Sequence, residues 1–153
     1  MPQGKRRQGR EIALQFLYGL RDHPENAEIQ IGGFLDHFRT SYDPIDDYVR
    51  LKEEPLSEEA RQFAEILCKG VVSHLEKIDR ALVEISANWS LERMARVDLA
   101  LLRLATYELL FCPEIPTSVV LNEAIEIGKR FGTKETPAFV NGILDKVAKS
   151  YRK

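Results

Sequence analysis

The run Leu99–Phe111 constrains this chain more than any other segment. Apolar side chains cover nearly every side of it, with Arg103, Thr106 and Glu108 embedded among them. Its thirteen residues fall well short of the ~20 needed to cross a bilayer. A helix that is apolar all the way round has to be enclosed by other elements, so this one is expected at the centre of a helical bundle. Ser90 is read as its N-cap, and Cys112, just before Pro113, as its end. The charges at the N-terminus have no apolar h-region behind them, so no signal peptide is expected. A soluble, cytoplasmic protein is the resulting expectation.

The remaining segments supply the surrounding helices. Ile12, Ala13, Phe16, Leu17 and Leu20 give helical spacing over Lys5–Leu20, and Ile31, Phe34, Leu35 and Phe38 give a weaker one over 27–39. The polar, acidic stretch 40–55, with Pro44 and Pro55, reads as a connecting loop. Ser57 is a good N-cap for the next helix. One stripe then runs through Phe63, Ala64, Leu67, Val71 and Leu75, and continues through Ile78, Leu82 and Ile85, as a single bent helix or as two. After the central helix, Val120, Ala124, Ile127 and Phe131 predict a helix with Gly132 at C′. Thr136 and Pro137 supply N-cap and N1 for a last helix marked by Val140, Ile143, Leu144, Val147, Ala148 and Tyr151. Gly128 and Gly142, both inside helical patterns, suggest close helix packing. No alternating strand pattern competes. The expected fold is all-α, about seven helices in two small subdomains sharing one core, roughly 1–86 and 90–153.

Two cysteines, Cys68 and Cys112, lie far apart among apolar neighbours. That pattern excludes a disulfide framework and a zinc module, and suits a reducing compartment. The overall charge of −2 conceals strong polarity along the chain. Residues 1–21 are net +4, residues 22–67 hold twelve acids against four bases, residues 68–112 balance, and residues 113–153 are net +2. At 100° per residue, Arg6, Arg10 and Arg7 fall at about 0°, 40° and 100°, in one arc of the first helix. Cations there oppose the helix dipole. The cluster is therefore either a solvated arm or, because each guanidinium can grip a phosphate bidentately, a nucleic-acid contact. Phe131 beside Lys129, Arg130 and Lys134 gives a second basic region with an aromatic edge, and Phe139 flanks the last apolar stripe. Both rings could stack on unpaired bases or pack in the core.

Catalysis has no support. His23, His37 and His74 are scattered, none has a second ligand at metal spacing, and Gly32-Gly33 is a lone doublet rather than a phosphate loop. Neither an enzyme nor a cofactor is expected.

Four ordered blocks then carry a resemblance. They are Arg6–Tyr18 (RRQGREIALQFLY), Val97–Leu110 (VDLALLRLATYELL), Ile115-Pro116 with Leu121–Glu126 and Lys129–Gly132, and Phe139–Lys146 (FVNGILDK). Together they are similar to the NusB family of transcription antitermination factors across most of the chain, except about residues 22–60. The resemblance implies an all-helical, non-catalytic protein that binds boxA, a single-stranded RNA signal in ribosomal RNA leaders. It also implies joint binding with NusE, a small-subunit ribosomal protein, and assembly with NusA, NusG and RNA polymerase.

The resemblance assigns RNA binding to Arg6, Arg7 and Arg10, with Gln15 and Tyr18 at adjoining positions. Phe131 and Phe139 match rings near the RNA surface, Lys129 and Lys134 add charge beside them, and Glu135 falls in the adjoining turn. Asp98 matches a NusE contact, with Glu92 as a weaker candidate. There are departures. Ser118 and Ala138 replace lysines common in the family, which shifts the burden of RNA affinity to the N-terminal arm. Arg96 stands where proline is common and Gly128 where alanine is, neither touching the expected RNA mechanism. Two rival readings are weighed. One is the NusB-type domain fused to ribosomal RNA cytosine methyltransferases, for whose catalytic domain 153 residues leave no room. The other is a helical interaction module or homodimer that works through its acidic segment.

Overall fold

The computed structural model describes residues 4–20, 25, 27–40, 57–87 and 89–152, with the side chains of 36–40 left aside. Among them are seven α-helices and one 3₁₀ turn: α1 Lys5–Leu20, α2 Ala27–Thr40, α3 Glu58–Ser73, α4 Leu75–Ile85, the turn Leu91–Arg93, α5 Arg96–Phe111, α6 Thr117–Phe131 and α7 Thr136–Tyr151. The loop expected over 40–55 lies outside the described residues apart from Thr40, which ends α2, and His23 lies outside them altogether.

Helix α5 is the enclosed element. It packs against α1, α3, α4, α6 and α7, and every residue from Leu99 to Leu109 is buried. One continuous apolar cluster runs from Ile12 in α1 to Ala148 in α7 and includes Leu67, Leu82, Leu101, Leu104, Ile127 and Leu144. The charged groups within α5, Arg103 and Glu108, are matched from other helices, whereas the buried Thr106 hydroxyl has no hydrogen-bond partner among the described residues. Arg103 donates two hydrogen bonds of 2.9 Å to the carboxylate of Asp79 on α4. At the other end, Arg152 donates to the carbonyls of Glu108, Leu109, Cys112 and Ile115 over 2.6–3.0 Å. It thus occupies acceptors that a helix C-terminus otherwise leaves open.

Local signals held in several places and shifted in others. Ser57 caps α3, its hydroxyl accepting from the Ala60 N–H at 3.0 Å. The stripe over 58–85 breaks into two helices at His74, whose ring stacks 3.9 Å from Phe111. Ser90 does not cap α5. It precedes the 3₁₀ turn, and α5 starts after Ala95 with no side-chain cap. Gly132 sits at the C-cap in extended backbone, φ −100° and ψ −166°, rather than in the left-handed C′ conformation. A side chain there would run into Thr136, which explains the glycine. Thr136 is the first residue of α7 rather than its cap. Its hydroxyl accepts from the Thr133 N–H at 3.0 Å and donates to Asp98 at 2.7 Å, tying the turn to the start of α5. Gly128 does pack closely, with Thr136 Cγ2 3.2 Å from a would-be Cβ. Gly142 does not, because nothing lies within 4 Å of that position.

These placements can be tested by unfolding. Gly142→Ala should raise stability by roughly 0.5–1 kcal/mol, the helix-propensity difference, whereas Gly132→Ala should lower it; urea unfolding followed by circular dichroism separates the two. Burial pushes the fully enclosed Cys68 thiol up to about 12, while an unfolded thiol ionises near about 8.5. Its contribution to stability is therefore complete below the unfolded value and declines as pH rises toward the folded one. Cys68→Ala should flatten that alkaline part of a stability-against-pH curve.

Candidate nucleic-acid interface

The arginine arc of α1 does not face solvent as a unit. Arg10 turns inward, and its side chain is 4% exposed. It donates to both oxygens of Glu108 on α5, with distances of 2.7–3.0 Å, where the Glu108 side chain is itself 2% exposed. The expectation that Arg10 grips phosphate is corrected by this burial: its donors are directed into the protein. Arg7 lies at the edge, donating to Glu123 on α6 over 2.5–3.2 Å. Arg10 Nη1 reaches the same carboxylate at 3.5 Å. The bond to Glu123 raises the Arg7 guanidinium above its ordinary value, so it stays charged throughout the working range of pH. One turn further along α1, Glu11 is buried and accepts from Arg130 at 3.0–3.2 Å. Arg7, Arg10 and Arg130 thus interleave with Glu11, Glu108 and Glu123 in a charge-balanced seam joining α1, α5 and α6.

Arg6 is the exposed member of the arc. Its guanidinium lies 4.9 Å from the Phe63 ring centroid, and Arg10 approaches the same ring at 5.3 Å. Gly9 permits this, since a Cβ there would meet the Ala60 carbonyl at 2.9 Å and the Phe63 side chain. The arm is therefore a seated helix start rather than a solvated tail, and Lys5 beside it pairs with Glu59 at 3.4 Å.

The other candidates lie at or near the surface, each with its own local partners. Gln15 is exposed, donating back to the Glu11 carbonyl at 3.4 Å, and Tyr18 is 42% exposed. Lys129 is exposed and pairs with Glu126 at 3.1 Å. Lys134 and Glu135 are exposed in the turn before α7, where Glu135 accepts from the Thr133 hydroxyl at 3.3 Å. Phe131 and Phe139 are half-buried, each packed against the core with part of its ring left outside. Arg130 lies 5.2 Å from the Phe131 centroid. Trp89, which the sequence did not single out, meets Phe139 edge-on at 5.5 Å and is 52% exposed. Asp98 is half-buried in the first turn of α5 and engaged with Thr136, whereas Glu92 is exposed on the 3₁₀ turn. Ser118 lines an open hollow with Val119, Asn122 and Glu123.

Sequence reasoning missed the three carboxylates of the seam. One signal pointed there: a glutamate inside an apolar helix requires a cation. Among the described residues, no three His, Cys, Asp or Glu side chains group as a metal site, and no helix is long and apolar enough to cross a membrane.

The fold is an all-α bundle that leaves Arg6, Lys129 and Lys134 exposed, and comparison with known proteins places it. The family model described as NusB family matches residues 7–149. The chain is 50% identical over 152 residues to the transcription antitermination protein NusB of Syntrophotalea carbinolica, covering 99% of this chain and 97% of that one. It is also similar to the solved structure of T. maritima NusB, at 34% identity and TM-score 0.69, covering 100% and 96% of the two chains. A crystal structure of antitermination factors NusB and NusE with double-stranded RNA shares the fold at 22% identity and TM-score 0.67, covering 96% and 98%. The chain belongs to the NusB family.

The buried pair generates a stability test. Arg10→Met leaves Glu108 buried without its cation and should cost about 3–5 kcal/mol. Adding Glu108→Leu should recover much of that loss, as read by thermal and urea unfolding of the single and double variants.

Proposed function

We propose that this protein is a non-catalytic transcription antitermination factor that binds boxA-type single-stranded RNA together with NusE. In this reading it acts within an assembly that includes NusA, NusG and RNA polymerase. The observation that carries the proposal is the half-identity, over nearly the whole chain, to a protein named for antitermination. A fold neighbour crystallised with NusE and RNA is consistent with it.

In this reading the residues divide the labour. Arg10 holds α1 against α5 and positions the arm without touching RNA. Arg6, with Arg7 beside it and Lys129 and Lys134 at the surface, meets the phosphate backbone. Tyr18, Phe131 and Phe139 offer ring surface to unstacked bases, at about 1–3 kcal/mol per stacked base. Gln15 and Glu135 supply exposed hydrogen-bonding groups that distinguish base edges, since phosphate contacts carry no sequence information. For NusE, Glu92 is the exposed acid, while Asp98 acts beside it by holding the turn through Thr136.

Fluorescence anisotropy of a labelled boxA RNA, with and without NusE at several salt concentrations, tests the reading. Arg6→Ala should weaken binding several-fold and reduce the slope of log affinity against log salt by about 0.7. Binding that is indifferent to Arg6 and to salt would remove the arm from the interface.

A further inference from the structure

Gly142 stands in the middle of α7 with no reason for it inside the protein. Nothing lies within 4 Å of the position a Cβ would take, so no neighbour demands a glycine, and in a helix interior glycine lowers stability relative to alanine. A glycine on an open helix face does let a second backbone approach closely. The residues around it indicate what approaches. At 100° per residue, Phe139, Gly142 and Lys146 fall within an arc of about 60°, each one turn after the last.

At one end of this arc Phe139 is half-buried, and Trp89, from the segment between α4 and α5, meets it edge-on at 5.5 Å. Such a pair holds both ring planes in place, and Trp89 is still 52% exposed, so indole surface stays open to a third ring. At the other end Lys146 is exposed and makes no ion pair among the described residues. The adjacent acid, Asp145, is occupied by Lys149 at 2.9 Å, and Glu135, one turn before Phe139, accepts from the Thr133 hydroxyl. Phe139 and Lys146 are about 10 Å apart along the helix axis. An aromatic pair, a stretch of bare backbone and an uncommitted cation follow one another in the order that a base, a sugar and a phosphate require. A protein partner would call instead for a continuous apolar patch.

We propose that this face of α7 carries single-stranded RNA onward from Phe139. A base stacks on the Trp89–Phe139 pair, the sugar–phosphate chain crosses the open backbone at Gly142, and Lys146 holds a phosphate. This deepens the RNA-binding reading above and rests on it, adding Trp89, Gly142 and Lys146 to its contacts.

Trp89 is the sole tryptophan of the chain, so its emission reports on the site directly. Titration of the unaltered protein with boxA RNA should quench that emission with the same midpoint as the anisotropy of a labelled RNA. Trp89→Ala should weaken binding about tenfold, and Trp89→Phe by less, since a ring remains. Lys146→Ala should weaken it about three- to tenfold and lower the slope of log affinity against log salt by about 0.7, the value of one phosphate contact on a single strand. Gly142→Leu separates this role from a structural one. It should raise the urea midpoint, because leucine is the better helix former, and yet weaken RNA binding several-fold by blocking the close approach. Unchanged Trp89 emission at saturating RNA, or undiminished affinity in Gly142→Leu while Arg6→Ala is weakened, would overturn this inference and leave the wider reading standing. Variants that lose NusE binding, measured without RNA, but keep their RNA affinity would also overturn it, by making this face a protein contact. No RNA binding by the unaltered protein, with or without NusE, would overturn both readings.

Discussion

The ion pair between Arg10 and Glu108 sets the terms for the rest of the molecule. Both side chains are nearly inaccessible, so neither charge is tolerable without the other. Meeting that requirement brings one face of α1 against the central helix at one register, because the guanidinium engages both carboxylate oxygens. Once α1 is fixed there, Arg7 falls beside Glu123 and Glu11 beside Arg130. The same constraint decides which cations are left to act outside. Arg6 faces outward because it lies one residue before Arg7 on a helix whose inward face is already determined.

Segment-by-segment charge counting implied a strongly basic arm. Folding moderates it, since acids from α5 and α6 are brought into the arm and neutralise its inner half. Further out, Lys5 and Lys129 each pair with a surface carboxylate, and Arg6 lies over the Phe63 ring. Such a surface attracts polyanions weakly at long range and relies on close contact to hold them. A preference among RNA sequences is easier to build on that footing than on a dense basic patch, where phosphate attraction alone would dominate.

Helix positions were legible in the sequence because they depend on neighbours within a turn or two. The apolar stripes placed α1 and α7 almost to the residue and α6 at its end, and the enclosed character of α5 came from counting its apolar sides. Cap assignments were less legible. Ser90 and Thr136 have the right chemistry, but Ser90 serves a 3₁₀ turn and Thr136 serves Asp98, a residue 38 positions earlier. Gly142 read as a packing glycine and borders open space, because a glycine's reason for being in a helix lies in the neighbour it faces. The candidate interface was legible as a set of residue types and illegible as an arrangement. The partners of Arg7, Arg10 and Glu11 lie 116, 98 and 119 residues away, and no local pattern encodes a pairing at that distance.

Arg152 has a consequence for how the bundle opens. The last turn of a helix near the end of a chain ordinarily frays on its own, with little free energy separating open from closed. Here that turn carries the guanidinium that occupies the Glu108, Leu109 and Cys112 carbonyls at the end of α5. Fraying of α7 uncovers those acceptors beside the most enclosed helix of the fold. Opening the last turn of α7 therefore also breaks hydrogen bonds to the end of α5, and the cost of fraying at the edge includes contacts of the central helix.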